Sequence, residues 1–215
     1  MAAKKSSKKT AEPEATAKLF YIFYNQERWD NWLNTLAEAD FSSDDDSEEM
    51  PEWYRILDGF SDDITLATLK IIRLYQNGRI PLEDARTKLR GVEEIVMAEL
   101  PDSEVAEIVG SMQISMLVLF AAGQKYLEEA YPPNEEVKNL VKEGRKIFDN
   151  DPEKALDMAS SIAAAVINGA SCCGKYVIND TDDPTLFDEW LVEIERIADA
   201  MTSLKNFDEE AGETQ

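Results

Sequence analysis

The 215-residue sequence contains no histidine, and its only two cysteines are adjacent. Without histidine, this chain lacks the commonest general base and the commonest transition-metal ligand. Ser–His and Cys–His nucleophiles are excluded within the chain, as are the carboxylate–histidine sites of ferritin-like bundles. We therefore expect no cofactor and no metal, and an enzymatic role is disfavoured. Two neighbouring cysteines form no disulfide framework, which predicts a reducing, cytoplasmic compartment.

Long apolar runs and basic residues are also scarce. The longest apolar stretch, residues 114–122, is interrupted by Ser115 and is too short to span a bilayer. The N-terminus lacks the apolar core of a signal peptide. With 22 Lys and Arg against 44 Asp and Glu, the net charge is −22, which repels nucleic acid and anionic membranes. We expect neither as a partner; the charge suits a basic partner or a salt-adapted cytoplasm.

Helical periodicity is what the sequence does have. Trp29, Trp32, Leu33 and Leu36 recur at i, i+3, i+4 and i+7, the spacing of one helix face. Other segments repeat this pattern, and no convincing strand pattern is present. The prediction is an all-α fold: a single helical bundle of about seven helices. Two apolar helices, 104–130 and 152–178, are expected at its centre.

The ends and one loop fall outside the helical pattern. Residues 1–17 form a basic segment and residues 208–215 an acidic one, both without apolar periodicity, which predicts disordered tails. The helical domain therefore spans 18–207. An acidic loop, 41–52, interrupts it, and Ser61 and Asp62 are interpreted as the cap of the helix that follows.

The segment "GASCCGKY", residues 169–176, has the glycine–lysine spacing of a phosphate-binding loop. Tyr176 stands where that loop needs a small magnesium-binding hydroxyl, and Asp180 comes only five positions after Lys175. The alanine-rich sequence before the segment predicts a helix, whereas a phosphate-binding loop follows a strand. We therefore expect no nucleotide site here.

The cysteine pair in the same segment is interpreted as structural. On a helix, Cys172 and Cys173 would point about 100° apart and could not share a metal. Small residues recur around them and would allow another helix to approach closely: Ala163, Ala164, Ala165, Gly169, Ala170, Cys173 and Gly174. The alternative is a redox-sensitive thiol, which needs an electropositive, exposed setting.

Polar residues within the two central helices are the next candidates. Gln113, Ser115 and Asn168 are predicted to lie in the core with satisfied hydrogen bonds that fix the packing register. The alternative is that they line a small-ligand pocket.

Aromatic residues are concentrated near the N-terminus. Trp29 and Trp32 share the inward stripe, whereas Phe20, Tyr21, Phe23 and Tyr24 precede it. Exposed aromatic residues anchor interfaces, so these four are predicted to contact a second copy of the chain or another protein. The alternative is that they fold back and close the end of the bundle.

The order of several segments resembles an archaeal family, the domain of unknown function 2150. These segments are "ERWDNWL", "LYQNGRIPLEDARTKL", "VEEIV" and "GSMQIS" running into "MLVLF", followed by an acidic tail. The resemblance covers roughly residues 20–205 and implies an archaeal cytoplasmic protein. It implies no activity and no functional residues.

Together these observations favour a non-enzymatic protein–protein interaction or adaptor module whose partner is another protein or a second copy. Two alternatives stay open. One is a small-ligand-binding or enzymatic bundle that uses carboxylates, lysine and cysteine. The other is an acidic protein that mimics nucleic acid and competes with it for a basic partner.

Overall fold

The computed structural model describes residues 23–41, 50–133, 136–171 and 184–212. Within these ranges the chain forms seven α-helices and no strand, which confirms the predicted all-α bundle. The helices are α1 (Gln26–Ala37), α2 (Glu52–Gln76), α3 (Leu82–Val96), α4 (Glu104–Leu127), α5 (Val137–Ile147), α6 (Pro152–Ile167) and α7 (Leu186–Gly212).

Short polar side chains begin several of these helices. The side chains of Asn25, Ser103 and Asp151 accept hydrogen bonds from the backbone N–H groups of the first turns of α1, α4 and α6. At the start of α7, Asp188 accepts from the Thr185 backbone N–H at 3.1 Å and from the Thr185 hydroxyl at 2.8 Å. These caps satisfy N–H groups that have no partner within the helix.

Helix α4 lies at the centre, as predicted. It packs against α1, α2, α3, α6 and α7, and its interface with α6 is the most extensive among the described residues. Every residue of 162–167 in α6 is buried, and all six are alanine, isoleucine or valine. Among the described helices, α4 alone is long and apolar enough to cross a membrane. The buried core helix of a bundle often has the same length and apolar composition, so this property alone does not indicate a membrane span.

Three predicted boundaries were wrong. Helix α6 ends at Ile167 and not at 178, because Gly169 adopts φ +96° and its N–H bonds back to the Val166 carbonyl. Helix α2 begins at Glu52, directly after Pro51, so the expected cap at Ser61 lies inside it. Helix α7 continues to Gly212, so part of the predicted acidic tail is helical.

Candidate functional site

Arginine and carboxylate side chains join α2 to α7. The Arg196 guanidinium on α7 donates to Asp58 at 2.7 Å and to Asp62, both on α2. Its Nε lies 3.3 Å from Glu193 Oε2, an ion pair in which the N–H is not aligned for a hydrogen bond. Thr65 Oγ1 donates to the other Glu193 oxygen at 3.1 Å. We call these five residues the Arg196 cluster.

Glu193 is the unusual member of the Arg196 cluster, because it is a buried carboxylate with 6% exposure. Burial raises its pKa to about 7, against the opposing effects of Arg196 and of the Thr65 hydrogen bond. Partial burial lowers the pKa of Arg196, but its hydrogen bonds to Asp58 and Asp62 and the nearby Glu193 raise that pKa overall. The cluster thus places a carboxyl group that titrates near neutral pH beside a permanent cation.

A groove follows the seam between α2 and α7 and consists of two hollows that meet at Asp58, Val192 and Arg196. The acidic hollow has a volume of about 460 Å³. Its lining residues are Asp58, Asp62, Thr65, Leu66, Val192, Glu195, Arg196, Asp199, Ala200 and Ser203. Four of these are carboxylates and one is a cation, so the hollow attracts positive charge.

The apolar hollow, of about 330 Å³, extends from the same three residues toward α4. Its apolar walls are Tyr54, Leu57, Met112, Met116 and Val192. Its polar residues are Asp58, Ser61, Ser111, Ser115, Glu189, Glu193 and Arg196. The lining of this hollow is more apolar than that of the acidic hollow, so it offers the better pocket for an apolar side chain.

Exposed apolar side chains surround the groove. Tyr54, Leu66 and Val192 line it and are 43%, 40% and 49% exposed. Ile114, 46% exposed, lies on α4 between groove residues Ser111 and Ser115. Three of the five exposed large apolar residues in the described ranges, Tyr54, Leu66 and Val192, thus line this one groove. A concentration of this kind marks an interaction site, whereas scattered exposed residues do not.

This site could not be recognised from local sequence patterns. Asp62 was interpreted with Ser61 as a helix cap, yet it lies inside α2 and pairs with the distant Arg196. Asp63 accepts from Arg28 Nε at 2.7 Å and from Trp32 Nε1 at 2.8 Å, which attaches α1. A local signal did exist for Glu193, since it falls on the inward stripe of α7 with Trp190 and Ile197.

The predicted N-terminal interface residues are only partly described. Tyr24 is buried with 7% exposure and belongs to the core, as the alternative interpretation required. Phe23 is half-buried, with Lys88 Nζ at 3.9 Å and Lys70 Nζ at 5.7 Å from its ring centroid. Phe20 and Tyr21 lie outside the described residues, and their interface role stays a prediction.

The candidate core polar residues differ from one another. Gln113 is half-buried and donates to the Val96 and Ala98 carbonyls at 2.6 and 3.0 Å, at the end of α3. Ser115 is half-buried and its hydroxyl contacts Glu189 on α7 at 3.3 Å, on the wall of the apolar hollow. Asn168 is exposed and ends α6, because that helix stops before the predicted position.

Cys172 and Cys173, and with them the glycine–lysine frame from Gly174 onward, lie outside the described residues. Their structural interpretation therefore stays a prediction. Within the described ranges, no group of three or more Cys, Asp or Glu side chains is placed to hold a metal ion.

The chain belongs to the family described as an uncharacterized protein conserved in archaea (DUF2150), whose family model matches residues 22–210. This match confirms the resemblance drawn from the sequence segments. No curated protein and no solved structure matches the chain.

Proposed function

We propose that this protein is a non-enzymatic interaction module and that the α2–α7 groove is its binding surface for another protein. The observation that carries the proposal is the concentration of the exposed apolar residues Tyr54, Leu66 and Val192 at the groove. Isolated exposed apolar residues are common on soluble proteins, but a cluster beside a hollow is typical of a binding site.

The rigidity of the groove supports the proposal. Arg196 ties α7 to two successive turns of α2 through Asp62 and Asp58. One helical turn further along α2, Thr65 hydrogen-bonds the buried Glu193. A surface held in this way changes little on binding, so less free energy is lost in ordering side chains.

The charge of the groove favours a different protein over a second copy. Two copies meeting groove to groove would bring Asp62, Glu195 and Asp199 of each chain together, and like charges in an interface are costly. This argument concerns the groove alone, so the prediction of a homo-oligomer that forms through the aromatic segment at residues 20–24 is unaffected. We place the partner in the archaeal cytoplasm, where the sequence predicts the chain resides.

Site-specific photo-crosslinking in archaeal cells tests the proposal. A photoreactive amino acid replaces Leu66 or Val192 in the groove, and Tyr21 in the aromatic segment. The matched control is Glu94, an exposed residue of α3 that does not line the groove. We expect one adduct of defined mass from positions 66 and 192 and none from position 94. Equal adducts at all positions, or none in the groove, would contradict the proposal.

A small-ligand or enzymatic role is the second candidate, and Glu193 is the observation that favours it. A buried carboxyl that titrates near neutrality beside a hollow is a candidate proton donor or acceptor. Native mass spectrometry of the protein purified from cells distinguishes the two roles. A bound small molecule that is lost in Glu193→Gln supports this candidate, and protein without added mass contradicts it.

A further inference from the structure

We infer that the partner inserts one amphipathic helix into the α2–α7 groove, with an apolar anchor in the apolar hollow and lysine or arginine side chains in the acidic hollow. This inference rests on the proposed function and names the chemistry of its partner. It combines three independent features of the groove: its length, the division of its two hollows and an unsatisfied carboxylate.

The length of the groove matches a helix of about four turns. Helices α2 and α7 run antiparallel at the seam, because Asp58 faces Arg196 whereas Thr65, later on α2, faces the earlier Glu193. On α7 the two hollows together extend from Glu189 to Ser203. At 1.5 Å per residue this is roughly 21 Å, the length of about 14 helical residues.

Because the apolar hollow and the acidic hollow lie side by side, they determine the order of apolar and basic side chains along the partner helix. Met112 and Met116 form the floor of the apolar hollow, and methionine adapts its shape to an inserted aliphatic or aromatic group. Such a hollow accepts one or two anchors spaced three or four residues apart on a helix, which is the usual mode of helix recognition. Val192 stands where the two hollows meet, so the basic residues follow directly beside the anchor.

One carboxylate oxygen in the acidic hollow lacks a hydrogen bond, and it indicates the charge of the partner side chain that would bind there. Glu195 Oε1 is shielded from solvent and accepts no hydrogen bond from the described residues. Burial and the neighbouring Asp199 both raise the pKa of Glu195. A buried acceptor normally has a donor, and an ammonium or guanidinium group entering the hollow would provide one.

Two occupants from this chain itself fit less well. Its described basic helix, α5, carries exposed Lys138, Lys142 and Lys146, but the apolar face of α5 is buried within its own bundle. The basic segment 1–17 has lysines but no apolar periodicity, so it matches the acidic hollow alone. A separate protein that presents both chemistries on one helix is therefore the occupant we infer.

Peptide titration of the full chain tests the inference. The probe is a synthetic helical peptide of about 18 residues, with leucines spaced three and four apart on one face and lysines beside them. One control peptide has serine in place of leucine at equal charge, and another has glutamate in place of lysine. By fluorescence anisotropy we expect the probe to bind at least about tenfold more tightly than either control, with affinity falling as salt is added.

Variants assign the binding to the two hollows. Val192→Asp should weaken probe binding about tenfold or more, because it places a charge where the anchor enters. Glu195→Gln should weaken the probe several-fold but should not weaken the glutamate control, because it removes a negative charge that repels that peptide. Glu94→Lys is the surface-charge control on α3 and should change the affinity less than twofold.

The outcomes separate this inference from the proposed function. Equal binding of the serine control would show that charge alone is read, as in nucleic-acid mimicry or docking of the basic segment 1–17, and would overturn the inference. Absence of peptide binding together with crosslinks at positions 66 and 192 would also overturn it while leaving the proposed function intact. Absence of peptide binding and of crosslinks would overturn the inference and the proposed function together.

Discussion

The α4–α6 interior and the α2–α7 seam both join two helices, but they differ in what they bury. Helix α6 buries one polar residue, Ser160, which bonds to its own backbone at Leu156. No residue of α4 appears among the buried polar residues of the described chain. The other four members of that set, Ser61, Thr65, Thr68 and Glu193, all belong to α2 or α7. The seam thus buries the polar side chains of Thr65 and Glu193 while Leu66 and Val192 stay exposed beside them.

The α2–α7 seam has two features that lower the stability of the fold, and the α4–α6 interior has neither. Burying a carboxylate costs free energy that an apolar side chain of similar volume would not cost. Exposing Leu66 and Val192 forgoes burial that would stabilise the fold. The α4–α6 interface contains no buried carboxylate, whereas the seam combines a buried carboxylate with exposed apolar side chains at the same groove. This combination is expected of a surface whose side chains contact a partner, and it is why we propose a binding function there.

The largest effect that tests the comparison comes from the same substitution in the two regions. Leu119→Ala in α4 removes a fully buried side chain and should lower the free energy of unfolding by about 2–5 kcal/mol. Leu66→Ala, at 40% exposure in α2, should cost about 0.5 kcal/mol or less. Urea denaturation of both variants measures the difference. Equal losses would show that the seam is ordinary core.

A smaller effect is expected when a methyl group is added to a glycine, and its sign depends on whether a neighbouring helix packs closely there. A Cβ added at Gly144 on α5 would overlap the ring of Phe187, which is fully buried on α7. Gly144→Ala should therefore destabilise the protein by about 1–3 kcal/mol. Gly110 in α4 is the matched control, because its Cβ would meet open space.

In the control the sign should reverse. Gly110→Ala should stabilise the protein by about 0.5–1 kcal/mol, since alanine is the better helix former. Thermal melting of the two variants against the parent measures both shifts. If the two variants shift the melting temperature in the same direction, the assigned packing at Gly144 is wrong.

The interior could be predicted from the sequence and the seam could not. The helical stripes of Trp29 and Leu36, and the apolar run that became α4, are local patterns, and both residues are buried as expected. The Arg196 cluster joins residues more than 130 positions apart, as the separation of 134 between Asp62 and Arg196 shows. Such pairing leaves no local pattern, so Ser61 and Asp62 resembled a helix start.

Helix ends failed for a related reason. Gly169 ends α6 through its left-handed conformation, yet the alanine-rich pattern before it continues smoothly into the following small residues. Periodicity detects the face of a helix and not the residue at which the chain turns. Asn168 was therefore assigned to the core, although it lies one residue beyond the end of α6.

The remaining effect concerns pH and arises in the seam alone. Glu193 has a pKa of about 7 in the folded chain, above its ordinary value of 4.5, because it is buried. Between these values the folded protein holds a proton that the unfolded chain has released. The contribution of Glu193 to stability is therefore largest below pH 4.5 and is lost as the pH rises through 7.

We expect this titration to lower the free energy of unfolding of the parent by about 1–2 kcal/mol between pH 5 and pH 8, since one pKa unit corresponds to about 1.4 kcal/mol and Arg196 can relax with the charged carboxylate. Glu193→Gln removes the titrating group and should flatten this decline, so that the variant gains stability relative to the parent as the pH rises. Glu189→Gln, a surface substitution one turn earlier on α7, should keep the decline of the parent. Urea midpoints at unit pH intervals measure all three slopes. If Glu193→Gln follows the parent in parallel across this range, the buried carboxylate does not titrate there, and the polar character of the seam needs another explanation.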